Sequence, residues 1–542
     1  LEADPRRVDW FEQIRFGDTM ALGLHVTTPS HPLDKEVELN PKKARAWIDS
    51  LPLTKTVESA RALLAVLKHL NGAKISCDDR VGAVEAYRPV LSVLLDELQA
   101  VFAYASLPLQ ARQQEAYTLA AQLHEECAIV YKLQLLEKTG KMVLFNAKKA
   151  LPPPLYWATT HLHARMMQCY RVYHPVPEGL WRELHMLHQY AEEQGFQGEV
   201  VDAESGLSIR DLYAEAVLVS LADPYRLMNT ELDKVLDLLR QHKGQMELRG
   251  SAEGLNPQRL FIVAIDSDSA PKVLVQGNRP TQGNILRIID PTKLVDRLQT
   301  KLRSTVGTAQ NAGKSRATHD LTDLMSRLIR LWGDPPKRQF RRSPTDSTVA
   351  LTSGIRAISH FTSLAAAEDP EADAQAIRDG GTVPLLKIPD DPTSQSLGIE
   401  TWQVLNQSAN GLRMHREAGG RVGVSVGESV GVRFVGGRSW NVGIIRWLTL
   451  LPGDALEFGV ELVAPAADAI YIEPTIGGGG RGMPALRLYP LLPGADCDTL
   501  LTSPDTFADL REFDLRDAES TQTVRATTLV ERTSRFDMFQ FQ

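Results

Sequence analysis

Cysteine is scarce in this 542-residue chain: Cys77, Cys127, Cys169 and Cys497 stand far apart, and no Cys-x-x-Cys pair occurs. That usage argues against a disulfide framework and fits a reducing compartment. Long apolar runs are missing too. The strongest, residues 90–98, is broken by Asp96 and Glu97 and is far shorter than a membrane span. The first residues, LEADPRRVDWFEQ, hold no apolar signal core, so a cytoplasmic protein is expected. Basic charge is in deficit, with 60 Lys and Arg against 67 Asp and Glu, a net charge of −7 and a pI near 6.1. A broad, non-specific nucleic-acid surface needs the opposite balance.

The constellations of catalysis are absent as well. No Ser/His/Asp, Cys/His or His-Glu-x-x-His arrangement emerges, so no enzyme and no catalytic residue is expected. Asn311-Ala-Gly-Lys-Ser315 ends like a phosphate-cradling loop, but the motif requires glycine at position 308, which is Thr308. Gly307 is one residue out of register, and the preceding segment is patterned as helix where the motif needs a strand. The glycine run 477–482 lacks the Lys-Ser/Thr and reads as a loop. His161, His163, His174, His185 and His188 invite a metal reading. Residues two apart on a helix face different ways, and only Glu183 lies near His185 and His188, so these are read as helix-surface histidines with no metal.

The length suggests two to four domains. Asn40 before Pro41 marks a helix start. Apolar residues at helical spacing then fill 56–70, 80–104, 109–136, 156–173, 178–194, 208–222 and 230–242, with a proline-rich break at 148–154. No fixed repeat period appears, so residues 1–244 read as a helical bundle or helix-hairpin array. Residues 245–334 form a small α/β module, with strands at 260–264, 272–275 and 285–289 and helices at 291–304 and 318–333. Residues 335–474 are rich in strand patterns and carry an acidic, Pro/Gly/Ser-containing insertion at about 368–395. Residues 475–542 read as a β-rich extension packed on that domain, ending in an alternating terminal strand.

The chemistry concentrates in 337–473. The stretch opens with Lys337-Arg338-Gln339-Phe340-Arg341-Arg342 and carries Asn406-Gln407-Ser408-Ala409-Asn410-Gly411. It closes with two apolar strands, 442–447 and 458–463. Arg-x-x-x-Arg followed by Asn-x-Ser-x-x-Gly resembles the two-part signature of the PilZ domain. The resemblance implies an antiparallel β-barrel that binds cyclic di-GMP, and hence an α+β multidomain effector of bacterial second-messenger signalling.

The residue types suit that ligand. A cyclic dinucleotide presents two phosphates and two guanine edges, each with O6 and N7 as acceptors, and the planar arginine fork fits both. In this reading Arg338 and Arg342 take phosphates and guanine edges, with Arg341 in reserve for a one-residue register shift. Asn406 and Ser408 hydrogen-bond the base or ribose side, and Gly411 is expected to shape a tight turn at positive φ. Trp447 is expected to pack in the core or beneath the site. In this family only one or two strands usually separate the two motifs, whereas some sixty residues do so here. The helical region would contact an unidentified protein partner. The rival reading is a ligand-free barrel serving as scaffold. An RNA-associated barrel fits poorly with the acidic balance and sparse aromatics.

Overall fold

The structure, a computed structural model, describes residues 22–35, 37–140, 150–251, 253, 255, 260–274, 285–312, 316–333, 343–366, 392–437, 439–476, 482–490, 498–517 and 520–542. The helical region begins with α1 (Pro41–Asp49), where the Asn40 side chain accepts from the Lys42 N–H at 2.9 Å. It continues through α2 (Thr56–Gly72), α3 (Cys77–Phe102), α4 (Ala111–Gly140), α5 (Pro152–Arg171), α6 (Leu180–Glu193), α7 (Ile209–Leu221) and α8 (Leu232–Gln241). Local sequence fixes these ends. Ser76 caps α3 through the Asp79 N–H, and Ser208 and Asp211 form a reciprocal capping box on α7.

A small antiparallel sheet follows, made of β1 (Glu247–Arg249), β2 (Leu260–Ala264), β3 (Lys272–Leu274) and β4 (Leu286–Asp290) in the order β1-β4-β2-β3. Helices α9 (Thr292–Ala312) and α10 (Arg316–Gly333) come next. Phe261, Ile289, Leu298, Leu328 and Trp332 share one apolar core with the preceding helices. Trp332 also donates its indole N–H to the Leu218 carbonyl at 3.0 Å, which pins the end of α10 to α7.

Next is a closed barrel of six antiparallel strands: β5 (Ser343–Ser353), β6 (Glu400–Gln407), β7 (Gly411–Arg416), β8 (Ser429–Phe434), β9 (Asn441–Leu450) and β10 (Leu456–Ala464). Around the barrel they run β5-β6-β7-β10-β9-β8. Its interior is filled by Val349, Leu351, Trp402, Val404, Met414, Val430, Val432 and Phe458, among others. The helical region stops one end: Leu107 and Tyr173 join the same core, Leu107 and Val424 exchange backbone hydrogen bonds at 2.9 Å, and the Leu450 N–H donates to Tyr173.

Between β5 and β6 the chain forms α11 (Ile355–Ala366) and a short helix over Pro392–Leu397. Most of the acidic insertion lies outside the described residues. The last part of the chain does more than extend the barrel. Strands β11 (Ala467–Pro474), β12 (Met483–Leu488), β13 (Thr499–Thr502), β14 (Glu512–Arg516), β15 (Thr521–Arg532) and β16 (Asp537–Phe541) close into a second barrel around Ile470, Leu500, Phe513, Val524 and Phe539. Closure depends on β11 pairing with β14, some forty residues downstream, which local pattern does not encode.

The histidines correct the expectation drawn from spacing. His163, His185 and His188 are buried rather than on the helix surface. His163 faces Glu215 at 3.2 Å. The His185 ring spans the Tyr213 hydroxyl at 2.8 Å and the Ser269 carbonyl at 3.0 Å, and His188 stacks on Tyr213. α5, α6 and α7 are covered by neighbours on more than one face, so polar side chains off the apolar stripe are also enclosed.

Candidate functional site

Arg338, Arg341 and Arg342 lie outside the described residues. Ser343, the next residue, does not. It pairs with Gln407 across β5 and β6, and Pro344 pairs with Asn406. The strand that the arginine segment enters therefore starts beside the Asn-x-Ser element, although some sixty residues separate them in sequence. The intervening chain leaves from the other end of the pair, where Leu351 stands opposite Glu400. An eleven-residue strand covers roughly 30 Å, so the insertion is rooted far from Asn406.

Asn406 owes its direction to a bulge. The pairing of β6 with β7 shifts between Val404 and Asn406, so Val404 stays opposite Met414 while Asn406 stands opposite Arg413. Arg413 alternates with the buried Leu412 and Met414 and points outward, which places Asn406 on the outer face as well. The Asn406 Oδ1 atom is nonetheless buried, with no hydrogen-bond partner among the described residues. An unpaired buried acceptor costs about 1–3 kcal/mol.

The hairpin beyond it is short. The Ser408 N–H donates to the Gly411 carbonyl at 2.8 Å, and the Ser408 hydroxyl donates to the same oxygen at 3.4 Å. The Leu462 N–H donates to the Asn410 carbonyl at 2.7 Å, tying the turn to β10. Gly411 does not serve as expected. It opens β7 without a positive φ. Its lack of a side chain matters for space instead, because a Cβ there would stand 2.9 Å from the Ser408 Oγ. The strand pairing settles the backbone, so left-handed freedom is not needed.

The same outer face continues across two more strands. Arg413 pairs with Gly459, and Gly459 pairs with Trp447. The Trp447 indole lies over Gly459, where a Cβ would come within 1.9 Å of the ring nitrogen. Trp447 is thus a half-buried wall of the outer surface and not part of the barrel interior. The Arg413 Nε donates to Glu457 at 3.0 Å, so its charge is already matched. Gly459 and Arg413 were missed as neighbours of Asn406. A mid-strand glycine opposite a tryptophan was the available clue.

A cavity of about 430 Å³ lies elsewhere, in the helical region, beside His124, Lys132, His161, Arg165 and Glu183. Its polar groups largely satisfy one another. Lys132 is paired with Glu183 at 2.6 Å, and the His124 and His161 Nδ1 atoms share a hydrogen bond at 3.1 Å. Burial holds both imidazoles neutral, with the His124 pKa pulled down to about 3.

The six-stranded barrel and the Asn-x-Ser-x-x-Gly hairpin at the start of β5 are those of a PilZ domain, and the chain carries one. Its barrel and the module before it match the middle PilZ domain of the cyclic-di-GMP receptor FimW over residues 260–369 and 389–469. Residues 42–253 match the N-terminal domain of the same receptor. The chain is 24% identical over 494 residues to the cyclic-di-GMP receptor FimW of Pseudomonas aeruginosa, covering 82% of this chain and 81% of that protein. No solved structure matches the chain.

Proposed function

We propose that the chain is a cyclic-di-GMP receptor: a non-enzymatic, cytoplasmic effector that takes the dinucleotide on the outer face of its first barrel. Arg338 and Arg342 supply the charged forks for phosphate and guanine edges, with Arg341 in reserve. Asn406 and Ser408 supply hydrogen bonds, and Gly411 keeps the hairpin compact. The observation that carries this reading is the pairing of Ser343 and Pro344 with Gln407 and Asn406, which brings the residue that follows Arg342 in sequence to the end of the strand pair that holds Asn406. The similarity to FimW, a protein named for cyclic-di-GMP reception, points the same way.

The output follows from connectivity. The ligand-gripping segment leads directly out of α10, which is pinned to the helical region through Trp332. Drawing residues 338–342 onto the barrel would pull on that attachment, changing how the helical region is presented to a protein partner.

Isothermal titration of the purified protein with cyclic di-GMP, with GTP and cyclic di-AMP as controls, tests the reading. Saturable binding of cyclic di-GMP alone is expected. In the Arg338→Ala/Arg342→Ala double variant it should weaken by at least about 100-fold, since each charge-assisted hydrogen bond contributes about 1.5–3 kcal/mol. Absent heat together with an absent thermal shift would leave a ligand-free scaffold as the better account.

A further inference from the structure

The two barrels share one wiring. Counted in chain order within each barrel, the strands of the first run 1-2-3-6-5-4 around the circle, and the strands of the second do the same. Every pairing in both is antiparallel. The pair formed by the fifth and sixth strands carries two register shifts in each barrel, whereas the shifts in β5–β6 and β6–β7 have no counterpart in the second. A β-rich tail packed on its neighbour has no reason to reproduce the same six-strand circuit.

What differs is the outer face. In the first barrel the registered row on the second, third and sixth strands is Asn406, Arg413 and Gly459, on the side argued to take the ligand. In the second barrel the same three strands carry Leu486, Leu501 and Met538, again directly opposite one another. These alternate with Ala485, Leu500 and Phe539 of the barrel interior, so they point outward, and yet they are buried. They pack with Ile355 and Ile358 of α11 and with Val442 and Ile444 of β9. Arg446 of β9 reinforces the contact. Its guanidinium meets both Glu531 oxygens on β15 at 2.5 and 2.8 Å while its Nε holds Glu461 at 2.7 Å. The second barrel also lacks the binding elements. No arginine precedes β11 within ten residues, and the connection from β12 to β13 contains no Asn-x-Ser-x-x-Gly.

We propose that the C-terminal barrel is a second barrel of PilZ topology whose ligand face has become the internal dock for α11 and the first barrel. The chain then presents a single class of dinucleotide site, and the two barrels move as one body. The single-site part rests on the cyclic-di-GMP reading above; the docking part does not.

Two measurements on the full-length chain separate them. In titration with cyclic di-GMP, the Arg338→Ala/Arg342→Ala variant should retain no saturable uptake, whereas a residual saturable class in that variant would overturn the single-site inference. If the wild-type chain takes up nothing, the functional proposal fails and the dock is judged by hydrogen exchange alone. There, Ile358→Asp on α11 should speed exchange in α11, β12, β13 and β16 together while β14 and β15 stay protected. Glu531→Gln, which removes only the ion pair, should produce the same pattern more weakly and serves if the first variant does not fold. Unchanged exchange in β12, β13 and β16 in a folded variant would show that the two barrels do not depend on this face.

Discussion

Ser343 stands opposite Gln407 at the open end of the first strand pair of the PilZ barrel. The chain therefore enters β5 at the end of the strand pair that holds Asn406, one residue after Arg342 in sequence. Three expectations follow from the surface around this pair, and a fourth from the buried histidines of the helical region.

The buried Asn406 side-chain oxygen has no hydrogen-bond partner among the described residues. Asn406→Ala removes an acceptor that is costly to bury, so thermal stability should hold or rise by up to about 1 kcal/mol. Affinity for cyclic di-GMP should fall by about tenfold, the worth of one hydrogen bond. Paired thermal melts and titrations check both halves. A variant that loses stability while keeping affinity would make Asn406 a structural residue.

At Gly411 a new methyl group would press on the Ser408 hydroxyl. Gly411→Ala should weaken ligand binding by displacing Ser408, with a stability loss of about 1 kcal/mol. Removing the hydroxyl relieves the clash, so Ser408→Ala/Gly411→Ala should recover the stability and leave the affinity low. A double-mutant cycle reads the coupling directly. Strict additivity would mean that the two side chains do not meet.

Gly459 leaves room for the Trp447 indole on the outer face. Gly459→Val fills that room and should expel the ring, costing about 1–3 kcal/mol by overpacking. Tryptophan emission should shift to the red as the indole becomes solvated. Comparison with Trp447→Phe isolates this residue among the eight tryptophans. Unaltered emission and stability would remove Trp447 from the surface described.

The buried histidines set the acid limit of the helical region. Burial pulls the His185 pKa down to about 4 and that of His188 to about 3, with the positive charges of Arg210 and Arg287 adding to the effect at His188. The unfolded chain binds protons at these residues near pH 6.5, above the folded values. Between those limits the unfolded state holds more protons, so stability falls as the pH drops from about 6.5 toward 4. Each histidine contributes a slope of about 1.4 kcal/mol per pH unit. His188→Phe keeps the stack on Tyr213 and should flatten the dependence by about one such increment. Urea midpoints at pH 7, 6 and 5 measure it, and an unchanged slope would refute the assignment.

Much of this protein was set by local sequence. Helix positions follow from apolar spacing and from caps such as Asn40 and Ser208, because those interactions span only a few residues. The strands at 260–264 and 442–447 were legible for the same reason. The PilZ domain was also readable, since its Arg-x-x-x-Arg and Asn-x-Ser-x-x-Gly elements are short stretches of sequence. Tertiary structure decided the rest. Only the β5–β6 register brings Ser343 to Gln407, and only a bulge at the end of β6 turns Asn406 outward. Only the pairing of β11 with β14 closes strands β11 to β16 into a barrel. The burial of His185 and His188, and the space that Gly411 and Gly459 yield to Ser408 and Trp447, depend on which surfaces meet. Such contacts join residues distant along the chain, and a pattern read a few residues at a time cannot record them.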